Sequence, residues 1–158
     1  VPFSPTHPSI TAALASIEGQ YTDVVAFDAQ AHAWLRYSPS LPAELNTLSA
    51  IRPEHGYWLL MSEPSELLIS GEPLVPASTP LCAGWNLVGC PSDSALPAPE
   101  ALASIAGKYD CVYGYVNFSA NGPWHTHIDG DSASDLVSVV PGYGYWICAR
   151  TDCIWTCP

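Results

Sequence analysis

Three sets of residues have the types and spacing to do chemistry. The first is Trp124-His125-Thr126-His127-Ile128-Asp129-Gly130-Asp131, with Asp135 beyond it. On a strand, His125 and His127 at i and i+2 share one face. Asp129, Asp131 and Asp135 add the oxygen ligands that hard cations take. The spacing is not that of an EF-hand loop, and Leu35-Arg36-Tyr37-Ser38-Pro39, the matching segment earlier in the chain, carries no such ligands. The set therefore reads first as a strand entering an acidic loop. His125, His127, Asp129 and Asp131 stand as a weak metal candidate, and no cofactor is expected.

The second set is the six cysteines, Cys82, Cys90, Cys111, Cys148, Cys153 and Cys157. No two are spaced as Cys-x-x-Cys, which argues against a zinc knuckle or a dithiol redox motif. An even number in a chain with four Lys plus Arg, 16 Pro and six Trp reads as a secreted, disulfide-stapled protein. Cys148 and Cys153 flank the turn Ala149-Arg150-Thr151-Asp152 and are placed to face each other across a hairpin. Cys157 would then reach Cys82, Cys90 or Cys111. The third set is the aromatics, 11% of the chain. A row of exposed rings would stack on sugars, whereas buried rings would fill two small cores. Trp155, between Cys153 and Cys157, is the tryptophan expected on a partner surface, and Val1, Phe3, Trp124 and Tyr143 are expected there with it. Asn117-Phe118-Ser119 is a glycosylation-type sequon.

The composition excludes whole classes. The net charge is −11, and Arg36, Arg52, Lys108 and Arg150 are the only Lys or Arg residues. A nucleic-acid footprint needs a basic patch, and an anionic membrane surface would repel the chain. No apolar run approaches the roughly 20 residues of a membrane span. Nucleophile-elbow and phosphate-loop motifs are absent, and no carboxylate pair stands out for glycoside hydrolysis. Enzyme activity is not expected. The start at Val1 reads as a mature protein whose targeting segment has been removed.

The elements that must position these groups come from an internal repeat. Pro53-Glu54-His55-Gly56-Tyr57-Trp58-Leu59 and Pro141-Gly142-Tyr143-Gly144-Tyr145-Trp146-Ile147 share the form Pro-x-x-Gly-Tyr-Trp-aliphatic, 88 residues apart. Ala13-Leu14-Ala15-Ser16-Ile17 recurs as Ala101-Leu102-Ala103-Ser104-Ile105. Apolar spacing predicts a short helix there, with Ser9 as cap and Gly19 as stop. Each helix leads into a β-hairpin: Tyr21–Asp28 with Trp34–Tyr37, and Tyr109–Val116 with Trp124–His127, the second turning at Asn121-Gly122. Leu48/Ile51 and Leu136/Val139 suit a helical turn. The Gly-Tyr-Trp strand follows, then a closing strand, Glu66–Ser70 or Cys153–Cys157. The expected fold is mainly β (α+β with short helices): two pseudo-symmetric repeats of antiparallel strands in one compact, disulfide-stapled unit. Repeat one spans 1–71, a Pro-rich linker 72–83, and repeat two 84–158. Gly84-Trp85-Asn86-Leu87-Val88 opens repeat two, and repeat one lacks this strand.

The pattern Gly-Trp-Asn-Leu-Val-x-x-Pro, Ala-Leu-x-Ser-Ile, Tyr-x-x-Val-x-x-Tyr and Pro-Gly-x-Gly-Tyr-Trp-Ile resembles a tandem repeat of secreted and surface proteins of bacteria and archaea. Gly84 to Ile147 carries it in full, and Ala13 to Leu59 carries it without the opening strand. The resemblance implies an extracellular β-rich module and brings no catalytic residues with it.

The expected function is that of an extracellular structural or interaction protein, a self-assembling subunit of a surface filament or layer. An incomplete repeat leaves a sheet edge that invites a strand from another chain, and the extended Val1–Pro8 segment suits such docking. A carbohydrate-binding module using exposed Trp and Tyr is the alternative, and an accessory domain of a larger secreted enzyme is a third. The expected partners are other copies of the chain and, on the alternative, glycans; nucleic acid and membrane insertion are not expected.

Overall fold

A computed structural model describes residues 3–73, 78–90, 92–117, 119–120 and 122–157. The chain begins with β1 (Phe3–Pro5), α1 (Ile10–Ala13) and a 3-10 turn at Ala15–Ile17. It continues through β2 (Tyr21–Asp28), β3 (Ala33–Tyr37), a 3-10 turn at Ala43–Leu45, β4 (Trp58–Met61) and β5 (Gly71–Pro73). Then come β6 (Ser78–Leu81), β7 (Gly84–Gly89), β8 (Leu96–Pro97), α2 (Ala98–Ala101) and a 3-10 turn at Ala103–Ile105. The rest is β9 (Tyr109–Tyr115), β10 (Trp124–His127), β11 (Ser138–Val139), β12 (Gly144–Ala149) and β13 (Cys153–Thr156). The fold is mainly β, with short helices and antiparallel sheets.

The 88-residue offset recurs at the level of single hydrogen bonds. Ile10 N–H donates to the Ser49 carbonyl and Ala98 N–H to the Val137 carbonyl, both at 2.9 Å. Sheet register repeats too. Val25 lies opposite Trp58 as Tyr113 lies opposite Trp146, and both ladders carry a bulge one residue after the first tyrosine of the strand. The Pro-x-x-Gly-Tyr motif has a structural cause. The hydroxyls of Tyr57 and Tyr145 accept the backbone N–H of Arg52 and Val140, each at 2.7 Å, just before the proline. The tyrosine thus ties off the turn that precedes its own strand. Burial pushes both phenols up, Tyr145 to about 12. The second residue of that turn needs a left-handed backbone: Gly142 at φ +82° in repeat two, and Glu54 at φ +69° in repeat one.

Each repeat has its own core beneath its helix. Leu14, Ile17 and Val24 are buried in the first, and Leu102, Ile105 and Val112 occupy the same places in the second. On β12, Tyr145, Ile147 and Ala149 alternate into the core while Trp146 and Cys148 face away from it, as the period of two on a strand requires.

Several expectations are corrected. Each helix is one α turn followed by a 3-10 turn, and Ser9 makes no side-chain cap; its backbone bridges Ala50 instead. The Leu136/Val139 segment is not helical but ends in β11, which pairs with β8. The expected closing strand of repeat one, 66–70, is irregular. The expected linker holds β6 and part of β5. Trp155 is not on a surface: it is fully buried, and its indole N–H donates to the Ala101 carbonyl at 2.7 Å. The pairing of β13 with β6 lays that ring against the helical turn of repeat two. Phe3 is half-buried in β1, which pairs with β5 of the same chain and is therefore not an unpaired arm. Val1 lies outside the described residues. The six cysteines are all unbonded thiols, so disulfide stapling is not part of the fold described here.

Candidate functional site

Two features form where the repeats meet, and both follow from a pseudo-twofold exchange of aromatic rings. Phe27 and Trp34 of repeat one pack on Trp146 of repeat two, with ring centroids 5.6 and 5.7 Å away. Tyr115 and Trp124 of repeat two pack on Trp58 of repeat one, at 4.9 and 5.6 Å. Within the pairs, Phe27–Trp34 is 5.3 Å and Tyr115–Trp124 is 5.0 Å. Tilted and edge-on contacts of this kind add about 0.5–1.5 kcal/mol each beyond area burial. The Gly-Tyr-Trp motif thus aims its tryptophan at the other repeat and its tyrosine at its own turn. The glycines of the motif meet near the centre. A Cβ on Gly144 would lie 3.6 Å from Gly56 Cα, and a Cβ on Gly56 would lie 2.9 Å from the Val88 carbonyl oxygen.

The first feature is an open, strand-shaped slot. Repeat two has four strands in the order β10-β9-β12-β7, and repeat one has three in the order β3-β2-β4. The member without a counterpart is β7. In repeat two, β7 pairs along all of β12, from Gly144↔Gly89 to Ala149↔Gly84. Its other side reaches repeat one, where Gly89 N–H donates to the Glu54 carbonyl at 2.8 Å and Gly56 N–H to the Leu87 carbonyl at 3.1 Å. Carried through the 88-residue offset, the same position on the other side has β4 on one flank and Gly142–Gly144 on the other. There the molecule has an open groove of about 790 Å³, lined by Trp58, Leu60, Met61, Leu67, Tyr143 and Trp124 among others. Among the described residues no strand pairs with the outer edge of β4, and Leu60 is exposed beside it.

The floor of the slot repeats as well. Thr156 N–H donates to Ser104 Oγ at 2.9 Å, and Leu68 N–H donates to Ser16 Oγ at 2.9 Å. Segment 65–68 therefore lies against its helix as β13 does, but without a partner equivalent to β6. Leu67 stands where Trp155 stands, and it is exposed where the tryptophan is buried. Among the described residues repeat one has no counterpart of the β6 and β7 hairpin.

The second feature is a cleft of about 470 Å³ walled entirely by Phe27, Trp34, Trp85, Tyr113, Trp124 and Trp146. Trp34, Trp85 and Trp124 are each about half exposed around it. Trp85 and Tyr113 come from strands whose repeat-one counterparts are absent or are valine, so the cleft is richer on the repeat-two side.

The sequence-level candidates fall out as follows. Trp124 and Tyr143 are exposed and both line the slot. The proposed metal ligands do not converge. The His125 ring bonds Asp135 Oδ2 and Ser119 Oγ, both at 3.1 Å, while His127 is buried near Tyr109, ring centroids 6.3 Å apart. Among the described residues no group of three or more His, Cys, Asp or Glu is placed to hold a metal ion. Asp135 instead anchors the hairpin: it accepts the Thr126 N–H at 2.6 Å, and that bond first, with help from His125, holds its carboxyl below the usual range. Asn117 is exposed in a turn, and residue 118 of its sequon lies outside the described residues.

The cysteines are neighbours in an order the sequence did not suggest. Cys148 lies directly opposite Cys111 on the β12–β9 ladder, not opposite Cys153. Cys157 is hydrogen-bonded to Cys90, which together with burial drives its thiol pKa up. Cys153 lies opposite Leu81, one residue from Cys82. Burial pushes up the thiols of Cys111, Cys148 and Cys153, so these three are not activated nucleophiles, while the hydrogen bond from Cys157 holds the buried Cys90 thiol below its ordinary value. Among the described residues no helix is long and apolar enough to cross a membrane. No family model matches this chain, and no curated protein or solved structure matches it significantly.

Proposed function

We propose that this chain is a structural protein of the cell exterior that joins neighbours head-to-tail by strand addition, building a filament or surface layer without enzymatic chemistry. One observation carries the reading: β4 has an open outer edge in a groove, while its counterpart β12 is paired on both sides. Edges of this kind are templates for pairing with another chain, and a head-to-tail contact propagates unless its rotation closes a ring. The exterior placement is supported by the sparse charge and the proline content. In an oxidising exterior, Cys111–Cys148, Cys90–Cys157 and Cys82–Cys153 are the pairs we propose to close, after movement from the unbonded positions they hold in the fold; mass mapping of unreduced peptides checks them. Electron microscopy and light scattering on unreduced protein test the assembly. Regular polymers support it, and a monomer of 16.9 kDa at all concentrations overturns it.

The all-aromatic cleft favours a second reading, glycan binding by stacking on Trp34, Trp85 and Trp124. Its walls offer few hydrogen-bonding groups for sugar hydroxyls, which is why it ranks second. Quenching of tryptophan fluorescence by oligosaccharides, abolished by Trp34→Ala, is the result it requires.

A further inference from the structure

We infer that the slot beside β4 is a receptor for one kind of polypeptide segment, a β-hairpin with the chemistry of Ser78–Gly89. The inference rests on the strand-addition reading and names its partner. The filled slot in repeat two shows what the open slot in repeat one is shaped to hold.

The pseudo-twofold fixes direction and register. The pairs Tyr145↔Val88, Trp146↔Leu87, Ile147↔Asn86, Cys148↔Trp85 and Ala149↔Gly84 become Tyr57, Trp58, Leu59, Leu60 and Met61 facing, in turn, the donor's valine, leucine, asparagine, tryptophan and glycine. The donor strand runs antiparallel to β4. Its final glycine reaches Gly142, the counterpart of Glu54, and its leucine carbonyl reaches Gly144, the counterpart of Gly56. The first limb of the donor hairpin runs beside 65–68, as β6 runs beside β13.

Asparagine is the specificity element. Asn86 is buried, and its side chain is fully used. Its Oδ1 accepts the Cys82 N–H at 2.9 Å, and the two Nδ2 hydrogens are shared among the carbonyls of Cys82 at 2.8 Å, Gly84 at 2.9 Å and Ile147 at 3.3 Å. The first three bonds lie within the hairpin and hold its turn. The fourth reaches the receiving strand, and its counterpart in the open slot is the Leu59 carbonyl. A donor with leucine in place of asparagine loses all four and leaves polar backbone groups buried without partners. An apolar strand of any sequence therefore does not suffice. Position 84 needs glycine for its turn, since Gly84 sits at φ +95°.

The test uses the full chain and a labelled synthetic peptide of residues 78–89 carrying Cys82→Ser. The expected result is saturable binding by fluorescence anisotropy, weakened at least tenfold by Asn86→Leu in the peptide. Amide exchange should slow in β4 and remain unchanged in β12. Absence of binding, equal binding of the Asn86→Leu peptide, or protection confined to β12 overturns the inference. The two readings fail separately. Polymers that form without any response to the peptide overturn the donor's identity and leave assembly standing. Peptide binding by a chain that never polymerises overturns assembly and leaves the receptor standing.

Discussion

Repeat two and repeat one are the same design carried to different lengths. Both have a one-turn helix, a bulged central strand, a hairpin closed over the core and a Tyr hydroxyl holding the turn before the third strand. Repeat two adds β7 along β12 and β6 along β13, and with them a buried tryptophan and a buried asparagine. Among the described residues repeat one has neither strand, and Leu60 on β4 and Leu67 after it are exposed. The difference teaches that the second hairpin is not needed to form the helix, the central strand or the turn. It is needed to cover the outer strand and the segment after it. Stability should therefore be unequal between the halves, and the outer edge of repeat one is where the molecule has something left to bury.

The largest test of this inequality is a matched pair of truncations. Trp155→Ala removes the largest fully buried side chain and its bond to Ala101, and should cost about 3–5 kcal/mol. Leu67→Ala, at the equivalent position but exposed, should cost under about 0.5 kcal/mol. Urea unfolding measures both, and equal losses would break the comparison.

The glycines at the centre give the next effect. Gly56→Ala drives a methyl against the Val88 carbonyl oxygen and the Leu87 side chain, an overpacking cost of about 1–3 kcal/mol. Gly144→Ala meets only ordinary contacts and should be much milder. The asymmetry arises because β7 occupies one side of the axis only. If the two substitutions cost the same by thermal unfolding, β7 does not pack on repeat one as described.

A smaller effect has the opposite sign. Glu54 holds a left-handed backbone where repeat two has Gly142. Glu54→Gly should raise stability by about 0.5–1 kcal/mol, the strain relieved outweighing the added freedom of the unfolded chain. Gly142→Glu should lower it, and the melting temperatures of the two variants check the pair.

The smallest effect is a pH dependence at one anchor of repeat two. Thr47 Oγ1 accepts the Arg36 N–H at 3.0 Å, and Asp135 does the same for Thr126. The folded-state pKa of Asp135 is depressed. Its contribution is therefore present above the ordinary carboxylate pKa of about 3.9 and is lost as pH falls through the lower folded value. Repeat one, with an uncharged anchor, has no such loss at this site. Acid titration followed by NMR should show the Thr126–Asp135 contact loosening while the Arg36–Thr47 contact holds, and Asp135→Asn should flatten the difference.

Much of this architecture is legible in the residues, and the reasons mark where legibility stops. The duplicated Pro-x-x-Gly-Tyr-Trp and Ala-Leu-Ala-Ser-Ile motifs give the repeat because they carry local geometry, a tied turn and a helix face. The lack of a counterpart to Gly84–Val88 is visible by alignment of the chain with itself. What was not legible is long-range. Trp155 looks like a surface residue until β6, whose Thr79 lies opposite it from 76 residues earlier in sequence, is seen to pin it. Cys148 looks poised for Cys153 because hairpin proximity is local, whereas the ladder puts Cys111 opposite it. His125 and His127 share a face on paper, but one ring is held by Asp135 and Ser119 and the other is buried near Tyr109. The aromatic exchange between repeats has a sequence signal, since Trp34/Trp124 and Trp58/Trp146 recur as pairs, but nothing local says that each packs on the other repeat.

The central claim is that β4 is open where β12 is filled, and hydrogen–deuterium exchange on the isolated chain tests it most directly. Exchange should be fast along the outer edge of Trp58–Met61 and strongly slowed across Gly144–Ala149. Equal protection of the two strands would contradict it.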